Sequence, residues 1–371
     1  MAAVDPTPAL TLPAGFYVDP DQFRVEVEHF FMRKWVCVGR VDDLPARGDF
    51  VTRDVGVENL IVVRAEDESI RAFFNVCRHR GTRLCADPSG NTGGSIRCPY
   101  HAWTYDLSGR LVGAPHMDAV PGFRQEDWPL ARVVVSEWDG HVFINLSGDP
   151  APLSAQLGDL PDRFRSWGMA DLRSSERIAY DVAANWKLII QNYSECLHCP
   201  VIHPALNRLS HFLSGENEPA APGHLGGAMR LRDGIASMTA DGTSRRPPLP
   251  GLGPEQRRTV QYYAVLPNLL LSLHPDYMMT HLVWPRAVDR TEVVCRWHFH
   301  PDALGQPGFD PSDAVSFWDL TNRQDWHVSE LSQLGIASRA YRPGPYSARE
   351  SMLHDFDALI LRELGQARPP G

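Results

Sequence analysis

The first chemical signal in this 371-residue chain comes from four residues in two short pairs. Cys77-Arg78-His79 is followed, after residues 80–97, by Cys98-Pro99-Tyr100-His101. Two thiols and two imidazoles at this spacing are metal donors, because each pair can present both side chains from one tight loop. A structural zinc site of the same composition usually pairs Cys with Cys and His with His. Here each pair mixes one Cys with one His. A mixed pair suits a [2Fe–2S] cluster with two thiolates on one iron and two imidazoles on the other. Nitrogen ligands bring less negative charge than thiolates, so such a cluster is easier to reduce than an all-Cys one. Cys85 pairs with no His and reads as a packed thiol.

A second donor set is visible in Asn192-Tyr193-Ser194-Glu195-Cys196-Leu197-His198-Cys199-Pro200-Val201-Ile202-His203. Ferrous iron that must bind dioxygen is commonly held by two His and one carboxylate on one face. On a regular helix, His198 and His203 would point about 140° apart, which is wrong for a shared metal. Pro200 lies between them, so the helix is expected to break or bulge there and swing His203 round. Glu195, three residues before His198, can project beside the metal without binding it. Cys196-x2-Cys199 has no second such pair and is not a zinc motif. The third ligand stays open on spacing alone, among Asp276, Asp289, Asp310, Asp313, Asp319 and Asp325.

These donors need elements to hold them. Phe23, Val27, Phe30, Phe31 and Trp35 recur near a helical period, and Asp19-Pro20 suits the helix start. Between Cys37 and Ser147, short β-branched and aromatic runs alternate with Gly, Pro, Asp and Asn, which predicts a compact all-β module. Asp149-Pro150 and Ala151-Pro152 mark a linker. Beyond Arg173 the chain reads as α+β. Asn185 caps a helix opening at Trp186, and strands are expected at Tyr262–Val265, Leu269–Leu273, His281–Trp284 and Glu292–Phe299. A long helix is expected from Asp313 to Leu334 with Gly335 as its stop, and a last helix from Ala348 to Leu364. Residues 215–254, rich in Gly and Pro, read as a lid, a binding loop or a disordered stretch.

Composition narrows the class. The chain is 43% hydrophobic and 22% charged, ordinary for a globular protein, so general disorder is excluded. No run approaches the ~18 apolar residues of a membrane helix. A net charge of −9 disfavours nucleic acid as a partner. Seven Cys with no basic-then-apolar leader at Met1–Gly15 argue against a disulfide framework. The thiols are expected to be reduced, in a cytoplasmic protein.

The stretches Asn75–Gly81 and Cys98–Tyr105 resemble the Rieske signature of Rieske-type non-haem iron oxygenases. The segment around His198 and His203 resembles the iron-binding stretch of their α-subunits, above all the choline monooxygenase, carnitine monooxygenase and glycine-betaine demethylase branch. The likeness runs from about Gly15 to Leu364. It implies an all-β Rieske domain with Cys77, His79, Cys98 and His101 on the [2Fe–2S] cluster. It also implies a helix-grip, START-like catalytic domain whose antiparallel sheet wraps a long C-terminal helix. The boundaries that follow are 1–36 for an N-terminal helical segment on the catalytic domain, 37–148 for the Rieske domain, 149–175 for the linker and 176–371 for the catalytic domain.

The same resemblance selects Asp325, in Gln324-Asp325-Trp326, as the carboxylate beside His198 and His203 on a mononuclear Fe(II), with Asp319 behind it. It gives Glu195 a part in passing electrons from the Rieske His of one subunit to the iron site of its neighbour, and adds Asn192 as a further catalytic residue. A cyclic homotrimer follows. The implied reaction uses O2 and electrons from NAD(P)H, delivered by a separate flavin and iron–sulfur reductase, since no G-x-G-x-x-G unit is present. The implied substrate is a small quaternary ammonium compound, hydroxylated and N-demethylated. A ring hydroxylase of the same superfamily and a Rieske electron carrier are the alternatives. Gln191 stands where the branch commonly has an acid, and Leu197 where it has an aromatic.

Overall fold

The computed structural model describes residues 9–366, so the first eight residues of the N-terminal segment and the last five of the chain lie outside it. The chain divides into two units. One takes Phe31–Leu153; the other takes the residues up to Phe30 and those from Ser154 onward.

The Phe31–Leu153 unit is all β apart from short turns of helix. Seven antiparallel strands run in the order Val36–Arg40, His141–Asn145, Arg132–Trp138, Ile70–Phe74, Glu58–Arg64, Asp49–Val55 and Ser89–Asn91. A second, three-stranded sheet joins Ser95–Arg97, Thr104–Asp106 and Leu111–Gly113. Its core gathers Ile61, Val63, Phe73, Ile96, Trp103 and Tyr105, with Cys77 and Cys98 among them. Gly109 makes one close approach possible: a Cβ there would lie 2.5 Å from the Phe73 ring, on a backbone already at φ +87°.

The other unit is α+β. Its seven antiparallel strands run Arg173–Val182, Arg290–Phe299, Met278–Ala287, Leu269–Leu273, Thr259–Val265, His224–Arg230 and Glu216–Asn217. The helices Trp186–Tyr193 and Ser312–Ile336 pack on this sheet and on each other. The central strand Leu269–Leu273 is buried throughout, which explains its unbroken apolar run. Asn185 caps the first helix, its side chain accepting from the Lys187 N–H. Asp19 does the same for Pro20–Glu26, with Pro20 at the first helical position as expected. Residues 149–175 carry the short helices Leu153–Leu157 and Leu160–Arg163 and the 3-10 turns Arg165–Trp167 and Met169–Asp171.

Two expectations change. The long helix runs through Gly335 to Ile336 rather than stopping before it. The Gly/Pro-rich stretch is not one loop, since it contains the strands Glu216–Asn217 and His224–Arg230. Gly226 and Gly227 are there for close packing: a Cβ on the first would sit 2.3 Å from Tyr263, and on the second 2.2 Å from the Glu216 carbonyl.

Candidate metal centres and active-site cavity

The two ligand loops of the β unit are built alike. The Cys77 N–H donates to Thr82 O (2.8 Å), and its carbonyl accepts from Gly81 N–H (2.9 Å). The Cys98 N–H donates to Trp103 O (2.8 Å), and its carbonyl accepts from Ala102 N–H (3.1 Å). Each loop closes at a left-handed residue four positions on, Gly81 at φ +76° and Ala102 at φ +57°. Cys77 and Cys98 are 2% and 3% exposed, while His79 lies exposed and His101 half-buried. The imidazole rings meet edge to face at 4.8 Å, and Trp103 stacks on His79 at 4.9 Å. Two buried thiols with two outward imidazoles fit a cluster that has a thiolate-bound and an imidazole-bound iron.

Two residues quoted within the signature stretches have supporting roles that the sequence did not foretell. Asn75, buried, accepts at Oδ1 from the N–H groups of Leu84 and Cys85 (2.9 Å each). Its amide donates to Asn59 Oδ1 and Cys85 O, so it anchors the chain on both sides of the first ligand loop. The Tyr105 hydroxyl accepts from the Arg78 N–H at 3.1 Å and lies 3.5 Å from Cys77 Sγ, within hydrogen-bond reach of the sulfur. Neither has a metal-ligand spacing that could have marked it.

The second donor set comes from the other unit. His198, His203 and Asp325 bring their donor atoms within 4.8 Å of one another, on a loop and on the Ser312–Ile336 helix. The expected route to this geometry is corrected. The helix ends at Tyr193, before either His, and Pro200 opens a new short helix, Cys199–Ile202. A proline in a first helical turn removes only a donor that has no helical partner there. His198 and His203 flank that short helix as its N- and C-terminal caps. Asp319, the other candidate, instead accepts from Tyr180 Oη and pairs with Arg323.

Each histidine is held from behind. His198 Nδ1 meets Glu195 Oε1 at 2.5 Å, and His203 Nδ1 meets Gln324 Oε1 at 2.8 Å. Both Nε2 atoms face Asp325 Oδ1, at 3.2 and 2.7 Å. A hydrogen bond at Nδ1 fixes the tautomer that leaves Nε2 for a metal. Burial alone would lower the His198 pKa, but hydrogen bonds to Asp325 and Glu195 outweigh it and raise it to about 10. Burial opposes ionisation of Asp325, yet its bonds to both imidazoles hold it below the usual carboxylate value. Two imidazoles and one carboxylate on one side, open to a cavity, fit ferrous iron. Gln324 was quoted in the sequence, but its hold on His203 was not foreseen.

The cysteines beside this site also depart from expectation. Cys196 and Cys199 form a disulfide, not free thiols. The turn brings their Cα atoms to 5.0 Å, well within bonding reach. Absence of a multi-bridge framework says little about such a local pair.

Above the triad lies a cavity of about 310 Å³. Asn192, Tyr193, Leu197, Tyr262, His281 and Trp318 contribute to its wall. The Tyr262 ring lies 6.1 Å from Tyr193 and 6.4 Å from Trp318. Tyr193 Oη donates to Leu271 O at 2.9 Å, which pins its ring. Burial pushes the His281 imidazole down to about 4, despite its bond to Asn322 and the Asp325 charge, so it is neutral. Gln191 is buried behind this wall, where its amide donates to Asp357 at 2.7 Å. Asp357 lies on the Ser351–Glu363 helix, so Gln191 ties that helix to the back of the wall.

A β module with mixed Cys/His donors, followed by a helix-and-sheet domain with a His–His–Asp set, defines a Rieske non-haem iron oxygenase. Comparison with known proteins agrees. The model of the Rieske [2Fe-2S] domain matches residues 34–124, and that of the ring hydroxylating alpha subunit (catalytic domain) matches residues 169–366. The glycine betaine monooxygenase oxygenase subunit of Pseudomonas aeruginosa (strain UCBPP-PA14) is 31% identical over 96% of this chain and 91% of its own. The crystal structure of the quaternary ammonium Rieske monooxygenase CntA in complex with L-carnitine superposes with a TM-score of 0.82, at 26% identity and 97% coverage of both chains. Naphthalene 1,2-dioxygenase from Rhodococcus sp. shares the fold, with a TM-score of 0.78, 22% identity and coverage of 96% and 95%. The chain belongs to the ring-hydroxylating α-subunit family and is the oxygenase subunit of a multicomponent enzyme, with a Rieske cluster and a mononuclear iron as cofactors. The catalytic domain removes the electron-carrier alternative, and a separate reductase is its electron source. Among the described residues no helix is long and apolar enough to cross a membrane.

Proposed function

We propose that this subunit hydroxylates a small quaternary ammonium compound of the betaine type at an N-methyl carbon. The observation that carries this reading is the aromatic wall of Tyr193, Tyr262 and Trp318 over the His198–His203–Asp325 set. A methylated cation has no N–H to donate, so aromatic faces are its natural contacts, each contributing about 0.5–2 kcal/mol. The relatives point the same way, since glycine betaine and carnitine stand in their names.

The chemistry supplied by the two metal groups when bound is reductive activation of dioxygen and insertion of one oxygen into a C–H bond. The protein's residues do the rest. The aromatic rings hold the cation and keep the methyl group turned toward the triad. Leu197 and the ring edges limit water at the reacting carbon. Glu195 and Gln324 keep both imidazoles turned so that Nε2 faces inward. The hydroxymethyl amine so formed collapses to formaldehyde and the demethylated amine. In this reading Cys77, His79, Cys98 and His101 hold the cluster, Glu195 lies on the electron path between subunits of a cytoplasmic homotrimer, Asn192 serves catalysis from the cavity wall, and the domains divide as the sequence suggests.

The test is oxygen uptake with a surrogate reductase over betaines, carnitine, choline and aromatic acids. Expected is formaldehyde release stoichiometric with oxygen use on a quaternary amine. Coupled turnover of aromatic acids alone would replace this reading with a ring hydroxylase.

A further inference from the structure

The aromatic wall accounts for one end of a betaine and leaves its carboxylate without a partner. Arg349 is the one arginine or lysine among the cavity's lining residues. It precedes the Ser351–Glu363 helix and makes no ion pair or hydrogen bond among the described residues. Among the described residues Arg177 and Arg208 share that lack of a partner, but neither lines the cavity. Arg246, the nearest rival by burial, is committed to Asp313 at 2.8 Å and Asp276 at 3.2 Å and does not line the cavity. Arg163, Arg230, Arg258, Arg286 and Arg290 are each paired with a carboxylate.

The carboxylates around the cavity are unevenly occupied. Glu195 and Asp325 face the histidines, so neither is available to neutralise Arg349. The remaining one, Glu216, stands exposed on the edge strand. Asn217 Nδ2 donates to Ser351 Oγ at 3.0 Å, which ties that strand to the start of the helix beside Arg349. The same stretch of cavity wall therefore carries a guanidinium for an anion and a carboxylate that opposes one.

We propose that Arg349 receives the carboxylate of a zwitterionic substrate and so sets the preference for betaines over quaternary amino alcohols. The proposal rests on the quaternary-amine reading above and deepens it. A guanidinium can bind a carboxylate through two parallel N–H···O bonds, which fixes orientation as well as charge. With the anion held at Arg349 and the cation against the rings, the substrate enters one way round. Because this contact is equally strong before and during reaction, its loss raises KM and spares kcat.

The experiment measures KM and kcat for glycine betaine, L-carnitine and choline with wild type, Arg349→Gln, Arg349→Lys and Glu216→Gln. Arg349→Gln is expected to raise KM for both carboxylated substrates by about tenfold or more, as loss of a charge-assisted bond does. Choline, with no carboxylate, should keep its KM within about twofold, the resolution of such a comparison. Arg349→Lys should recover part of the loss, and Glu216→Gln should lower the betaine KM. Betaine KM values unchanged by Arg349→Gln overturn the clamp while leaving the quaternary-amine reading intact. An equal rise for choline and betaines also overturns it, because it marks a structural role. Failure of wild type to oxidise any quaternary amine overturns the reading and the clamp together.

Discussion

The two donor sets solve opposite problems. In the β unit the four donors come from two short loops whose chain closure is local, Cys77 to Thr82 and Cys98 to Trp103. In the other unit, Asp325 lies on a helix far along the chain from His198 and His203, and the three meet only when that helix packs against the Trp186–Tyr193 helix and the sheet. The outward face differs too. The β unit buries its thiols and leaves its imidazoles toward solvent, whereas His203 is 2% exposed. Electron exchange needs a reachable edge, and substrate oxidation needs a walled one. The fold supplies each where its chemistry requires it.

The largest test of this contrast is removal of a ligand from one set while the other is watched. His203→Ala is expected to reduce product formation to background while the visible spectrum and reduced-state EPR of the cluster persist. Loss of the cluster signal in that variant would mean that the two sets are not independent. Cys98→Ser is the converse: the colour should disappear while one iron per chain remains.

A smaller effect is expected from the partners behind the ligands. Gln324→Ala leaves His203 Nδ1 without its acceptor and should weaken iron affinity by about 10–100-fold, measured by chelator competition. Glu195→Gln keeps shape and removes charge. It should retain iron but slow oxidation of the reduced cluster in single-turnover experiments, and an unchanged rate would break the electron-path assignment. Asn75→Ala strips acceptors from two buried N–H groups. A loss of about 1–3 kcal/mol in the stability of the β unit is expected by thermal unfolding. The smallest effect belongs to Tyr105→Phe. Without its hydroxyl beside Cys77, the oxidised cluster is relatively favoured and the reduction potential should fall by tens of millivolts, at about 59 mV per 1.4 kcal/mol for one electron.

The same contrast explains what could be read beforehand. The first set was legible because its information is local: residue types at fixed spacing, with Gly81 where a left-handed residue is needed. His198 and His203 were legible as donors, yet the reason for their convergence was misplaced, since helix termination at Tyr193 depends on how the following turn packs. Asp325 could not be separated from five other aspartates by spacing and needed the family pattern. Asn75, Tyr105 and Gln324 act through hydrogen bonds to neighbours that a one-dimensional pattern does not encode. The strands at Arg173–Val182 and His224–Arg230 were missed for different reasons. The first is largely exposed and polar, and the second carries paired glycines that imitate a loop.

The placement of residues up to Phe30 with those beyond Ser154 bears on how the chain can fold as it is made. Glu26 is fully buried against Lys187 and the Trp186 indole, an ion pair whose members lie 161 residues apart. During synthesis the N-terminal helix leaves the ribosome long before that lysine exists, while the intervening β unit already has every residue it needs. The β unit therefore has the shorter loops to close and the earlier start. The unit that surrounds it in sequence must keep a carboxylate solvated until its partner arrives, because an unpaired buried charge costs about 3–5 kcal/mol. The helix Pro20–Glu26 is thus expected to dock only after the inserted β unit has closed its own loops.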